Sequence, residues 1–403
     1  MTITPLAALD NLNPLAVSQI NVSDRYYLYD DFTTDRAAGA VNGTLAEPVG
    51  GARTAADANG KITISSGVLT FSTGGVANDW VYWGSAAFAQ TAGRVFIADI
   101  GVRSATSSLS VGLDFNTVAT TLRNGFTIST TSMLYITGAG GVPVIPITNT
   151  PISLAIVSRN SAGFWYFAKG GGLTNWTLIN FSIADAATLN IPEILTTNTT
   201  AGFGASLVKI PKKPYTIQPF TSDSFTTTTT NGSGHPEGGA TSGLAYTEVG
   251  TWGVSGGACS CSALSGGLGF RYLPISSPDV IVSCVATRAA GVMGVVARYE
   301  DANNYIIAYH DGTNFKVDKV VAGTTTNLSS TVRTYTAGAN IRLTIRGTSA
   351  VGQYNFLASS SVTVPASTSV NHGLYTTNTG NTFDNLQYWP TGAEGQYEDM
   401  NLL

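Results

Sequence analysis

The sequence predicts an all-β chain built as two tandem antiparallel β-sandwich domains. Short runs rich in Val, Ile, Thr and aromatic residues recur along it, parted by Gly, Asn and Pro clusters roughly every 8–12 residues. No segment keeps a helical period beyond about ten residues. The chain has 403 residues, enough for two cores of roughly 180 residues each, and its halves resemble one another.

Residues 1–25 read as an N-terminal arm, because Pro5 and Pro14 interrupt short apolar pieces that have no partner strand. The first sandwich is predicted over 26–213. Its clearest strands are Lys61–Ser65, Val68–Ser72, Arg94–Val102, Leu109–Phe115, Gly125–Ser129, Ser153–Ser158 and Gly163–Ala168. The stretch SIADAATLNIPEIL (182–195) is the best candidate for a helical turn. A proline-rich linker is expected over 214–222, a second sandwich over 223–390 and a tail over 391–403. Strands in the second half are expected at Val280–Thr287, Gly294–Tyr299, Tyr305–His310, Phe315–Val321, Asn340–Gly347, Gln353–Ala358 and Asn381–Trp389.

Three matches between the halves occur in the same order. Asp31-Phe32 pairs with Asp223-Ser224-Phe225, ITISSGVLTFS (62–72) with WGVSGGACSCS (252–262), and residues 94–115 with 279–300. The last match is ungapped and sets Arg103 on Arg288 and Val111 on Val296.

Composition excludes several classes. Hydrophobic residues are 43% and charged residues 11%, the reverse of a disordered chain. The 20 Lys and Arg form no stripe, and Lys212-Lys213 between prolines reads as a solvated link, so no nucleic-acid partner is expected. No apolar run of about 18 residues exists, so no membrane helix is expected, and the start lacks the pattern of a cleaved signal peptide. Cys259, Cys261 and Cys284 are too few and odd in number for a disulfide framework and read as small buried apolar residues.

Residues 221–390 carry a further pattern. An opening D-x-F is followed by GTWGVSGG, then by GVVARY with NNY, and closes on FDN. This resembles the concanavalin A-like, laminin G-like jelly-roll domains of bacterial and bacteriophage proteins. The first half shares the opening but lacks the RY…NNY pair and the closing FDN. In such domains the opening and closing aspartates approach on neighbouring strands, which makes Asp223 and Asp384 calcium candidates, with Asp31 as the first-domain counterpart.

No catalytic constellation is legible. Glycosidases take two carboxylates across the sugar, and the E-x-D-x-E stretch of the related glucanases is missing. Glu300-Asp301 reads as a solvated hairpin tip and His310-Asp311 as a strand end. No G-x-S-x-G elbow occurs. An aromatic cluster, Trp80 and Tyr82 with Asn78 and Asp79, is the candidate carbohydrate-binding group. Trp80 and Tyr82 share one strand face, Val81 and Trp83 the other.

The sequence therefore leads us to expect a non-enzymatic component of a bacteriophage virion: fibre, tail or capsid-decorating. It would partner other virion proteins and its own copies as a homo-oligomer. The alternative is a glycan-binding lectin or adhesin that contacts a host-surface glycan, secreted or on the cell surface without a cleaved signal. A glycoside hydrolase comes third.

Overall fold

The computed structural model describes residues 22–72, 79–89, 91–104, 109–114, 124–136, 145–159, 163–182, 190–196, 202–217, 219–226, 244–393 and 395–403. The predicted arm lies outside them except for a helical turn, Val22–Arg25. Among the described residues, each half is a sandwich of one nine-stranded and one seven-stranded antiparallel sheet.

Strand alternation builds the two cores. In Val95–Ile100, Phe96, Ala98 and Ile100 point into the first core, while Val95 and Ile97 point the opposite way. In Val280–Thr287 the inward set is Val280, Val282, Cys284 and Ala286. Cys259 and Cys261 share the inward face as expected, and burial pushes the Cys259 thiol up to about 12.

The two halves have the same strand order. The first large sheet runs Leu173–Phe181, Phe164–Gly170, Ile152–Ser158, Val95–Ile100, Phe203–Pro211, with the hairpin Ile62–Ser65/Val68–Phe71 joined to the last strand. The second runs Leu357–Ala358, Ser349–Tyr354, Ala339–Arg346, Val280–Thr287, Thr382–Pro390, with the hairpin Thr251–Ser255/Ala258–Ala263 in the matching place. The small sheets match as well. Thr54–Ala56, Trp80–Tyr82, Ile191–Thr196, Leu109–Asp114, Asn124–Ile128, Ser132–Ile136 and Ile145–Pro146 stand opposite Thr247–Val249, Gly269–Pro274, Asn371–Thr376, Met293–Asp301, Asn304–His310, Asn314–Val321 and Thr324–Val332.

Three sequence-based expectations need correction. The ungapped match of 94–115 with 279–300 is one residue out of register. Inward Leu109, Val111 and Leu113 correspond to inward Met293, Val295 and Ala297, whereas Val296 faces outward. A one-residue slip exchanges the two faces of a strand, so Gly112, not Val111, is the counterpart of Val296. The opening aspartate of the first half is Asp30, not Asp31. Asp30 accepts the Phe32 amide at 3.4 Å and Asp223 the Phe225 amide at 2.8 Å, and both phenylalanines take a positive φ (57° and 51°). Finally, the C-terminal part of the expected helical turn is the strand Ile191–Thr196, held between two neighbours, while 183–189 lies outside the described residues. The strand Thr324–Val332 escapes a hydrophobic reading because it is an exposed edge of Thr, Ser and Asn.

The sandwiches meet through the outer faces of their large sheets. Val95, Ile97, Ala155, Val157, Phe167, Leu178 and Phe181 of the first form one cluster with Ile281 and Trp389 of the second. Tyr215 and Ile217 of the expected linker join it, as do Tyr397, Met400 and Leu403 of the expected tail. A polar seam runs alongside. The Arg342 guanidinium lies 3.5 Å over the Phe181 ring and donates to the Phe181 carbonyl at 3.1 Å, and the Asn180 amide donates to Gln353 at 2.8 Å. Arg346 donates to the Ile179 carbonyl at 2.6 Å. Glu398 accepts the Trp176 amide at 2.7 Å and pairs with Lys169.

Candidate functional site

With the large sheets occupied at the junction, each sandwich keeps the outer face of its small sheet. Reading across that face in the first sandwich gives the row Gly125, Gly112, Glu193, Tyr82, Thr54, one residue per strand. The adjacent row is Thr127, Ser110, Leu195, Trp80, Ala56. Trp80 and Tyr82 are half-buried and their rings stack with centroids 5.0 Å apart, as alternation in a short strand dictates. Val81 and Trp83 point inward, and the Trp83 indole donates to Asp30 at 2.8 Å. Ser110 and Thr127 hydroxyls meet at 3.1 Å.

Two buried glycines let the strands beside the rings approach closely. A Cβ on Gly112 would stand 2.2 Å from the Asn124 carbonyl oxygen, and one on Gly125 would stand 2.4 Å from the Val111 carbonyl oxygen. The row therefore runs from two buried glycines through the buried Glu193 to the half-buried Tyr82 ring. The two rings give apolar faces on which the apolar side of a sugar can stack.

The corresponding row of the second sandwich is Ile307, Val296, Gly373, Tyr272, Thr247. Tyr272 takes the place of Tyr82 and Phe270 that of Trp80. Here the face is filled. Phe270 is fully buried, with the rings of Tyr299, Tyr305 and Tyr375 at 4.7, 5.0 and 5.2 Å. The strands of Phe270 and Tyr305 are separated by two others, so rings this close mean that the face is concave. Tyr272 is half-buried against Tyr299 at 4.7 Å. Burial pushes the Tyr299 hydroxyl up to about 12, with Tyr272 and Asp301 adding to the shift. Tyr309 donates to Asp318 at 2.7 Å, and Asn327 donates to the other carboxylate oxygen at 2.6 Å. At the rim of this face Glu300, Asn304, Tyr305, Lys319 and Ser367 line a cavity of about 160 Å³.

Of the residues singled out in sequence, Trp80 and Tyr82 come together as a pair. Asn78 lies outside the described residues. Asp79 is buried on the inward side with Val81, away from the rings, and its carbonyl accepts the Thr196 amide at 2.9 Å. Asp223 accepts the Phe225 amide and, at 2.9 Å, the Tyr246 hydroxyl, whereas Asp384 accepts the amide of its neighbour Asn385 at 2.6 Å. Among the described residues, no group of three or more His, Cys, Asp or Glu side chains gathers that could hold a metal ion. The Glu300 carboxylate accepts Ser367 at 2.7 Å and Asp301 accepts the Asn303 amide at 2.6 Å, as at a solvated hairpin tip. His310 is buried under Tyr354, and Asp311 accepts the amides of Thr313 and Asn314. Glu193 was missed in sequence because IPEIL reads as a helical fragment, and the tyrosines of the second face because they are spread over four strands.

No family model matches the chain, and no curated protein does. Among solved structures the chain is similar to the carbohydrate-binding module CBM66 from Bacillus subtilis, at 17% identity and a TM-score of 0.29, over 36% of this chain and 92% of that one. It is similar to domains LG4-5 of the mouse laminin α1 chain, at 8% identity and a TM-score of 0.21, over 72% and 78%. It is also similar to a GlcNAcα1-4Gal-releasing endo-β-galactosidase from Clostridium perfringens, at 7% identity and a TM-score of 0.33, over 86% and 95%. The laminin fragment belongs to the class that residues 221–390 resemble in sequence, and at these values the likeness extends to no ligand and no chemistry.

Proposed function

We propose that the protein is a non-enzymatic, two-domain glycan-binding module that takes sugar on the outer face of its first small sheet. The observation that carries this reading is the half-buried Trp80–Tyr82 ring stack on the outer face of the first small sheet. Stacked rings bind the apolar face of a sugar.

A glycan array probed with the full chain tests the reading. Binding to at least one neutral glycan class, weakened tenfold or more by Trp80→Ala, supports it. Wild-type binding that Trp80→Ala leaves unchanged refutes the assignment of the first face. Release of reducing sugar from a bound polysaccharide refutes the non-enzymatic part.

A second reading places such a module on a bacteriophage particle. The buried junction favours it, because two sandwiches fused through their large sheets make a stiff unit suited to assembly. Mass spectrometry of purified particles in which this chain is never found would reject that reading.

A further inference from the structure

We propose that a cleft on the outer face of the first large sheet binds a short neutral oligosaccharide. The ligand class rests on the glycan-binding reading, but the site lies on the other sheet from Trp80 and Tyr82. The inference starts from three successive rows across the strands Val95–Ile100, Ile152–Ser158 and Phe164–Gly170. Val95, Val157 and Trp165 form the first row, and Ile97, Ala155 and Phe167 the second. Both are apolar and belong to the junction cluster. The third row is Asp99, Ser153 and Lys169, on the same sheet face by alternation. The face thus turns from apolar to polar in one step.

That step coincides with a cavity of about 540 Å³. Ligand pockets run to about 300–1,000 Å³ and favour the borders between domains. The third row is the floor of the cavity, and all three of its residues are half-buried rather than exposed. Leu173, Thr174 and Trp176 line it from the neighbouring edge strand, and Asn401 from the last segment of the chain. Ser206, in the strand Phe203–Pro211, is an exposed member of the lining. The Trp176 indole donates to Asn401 at 2.9 Å, which holds the two walls together. A sheet end that was merely solvated would have no such walls.

The chemistry of the lining selects the occupant. Among the described residues, the Asp99 carboxylate and the Ser153, Thr174 and Ser206 hydroxyls enter no hydrogen bond, so their capacity faces the cavity unspent. The charges are balanced. Lys169 pairs with Glu398, and Asp99 and the Lys209 amine attract one another. An ionic ligand therefore gains little over a neutral one. Hydroxyls and a carboxylate on one side, with Leu173 and the Trp176 ring on another, suit a chain that is polyhydroxylated and apolar by turns, as a neutral sugar is.

Titration of the full chain with maltotriose, cellotriose and mannotriose, followed by calorimetry and hydrogen exchange, tests the proposal. At least one of them is expected to bind and to slow exchange at least threefold in residues 170–176 and 398–403. Both effects should persist in Trp80→Ala, which alters only the ring face. Ser153→Phe fills the floor of the cleft and is expected to weaken binding at least tenfold. Should it fail to fold by circular dichroism, Ser206→Trp at the exposed part of the lining takes its place. Binding that Trp80→Ala abolishes and the filled cleft leaves unchanged overturns the proposal while the ring face stands. Binding that survives Trp80→Ala and is lost in the filled cleft sustains it. No binding of any of the three sugars overturns the cleft, whatever a glycan array shows for the rings.

Discussion

The two sandwiches share a strand order yet treat the same face in opposite ways. In the first, the row beside Tyr82 is Glu193, Gly112, Gly125; in the second, the row beside Tyr272 is Gly373, Val296, Ile307. One face carries two glycines and a carboxylate, all buried, beside a half-buried ring stack. The other is packed with apolar side chains and tyrosines. Topology therefore sets where a face lies, while two or three residues on the middle strands set what lines it. At the buried end of the first sandwich, Asp30 forms a two-pronged ion pair with Arg53 at 2.7 and 2.6 Å.

The largest expected effect probes that ion pair. Asp30→Ala leaves Arg53 buried with no carboxylate and removes the acceptor of the Trp83 indole, at a cost of about 3–5 kcal/mol. Urea titration of the variant decides it, and an unchanged midpoint would overturn it.

Next comes Gly112→Ala, which pushes a methyl group against the Asn124 carbonyl and is expected to cost about 1–3 kcal/mol. Were the first face as accommodating as the second, where Val296 sits in the same place, the melting temperature would not move.

Acid separates the domains at a similar size. All three histidines lie in the second half, and His372 is fully buried, its Nδ1 accepting the Arg298 amide and its Nε2 facing the Ser277 carbonyl. Burial holds its pKa down at about 3, with Arg298 adding to the shift against the pull of the Ser277 bond. The folded state keeps the ring neutral, while the unfolded chain takes up a proton below about pH 6.5. Stability is therefore unaffected above pH 6.5 and falls as the pH drops from there toward 3, by about 2 kcal/mol at pH 5. Hydrogen exchange should show the weakening around His372 in the second sandwich, and His372→Gln should flatten it. The smallest effect expected is on binding: Tyr82→Phe keeps the ring and should change glycan affinity by less than about threefold, roughly 0.6 kcal/mol.

Much of this architecture was legible before any coordinates. Strongly alternating segments such as Val280–Thr287 announced themselves, and so did the placing of Trp80 and Tyr82 on one face. What escaped depended on partners. Thr324–Val332 is a strand because Asn314–Val321 lies beside it, and its Thr and Ser residues carry no apolar signal of their own. The true register of the duplication shows only in which residues face inward, since offsets differing by one look alike in letters. The second face assembles tyrosines from four strands, so no local window contains it.

The junction also has a consequence for synthesis. The outer surface formed by Val95, Ile97, Val157 and Phe167 is complete once the first sandwich has folded, but its cover includes Trp389, Tyr397, Met400 and Leu403. Domains fold in the order they leave the ribosome. A sticky patch must therefore wait, uncovered, while nearly two hundred more residues are translated. Expression yield should depend on chaperone supply and elongation speed more than the finished fold's stability would suggest, and the first sandwich produced alone should clump.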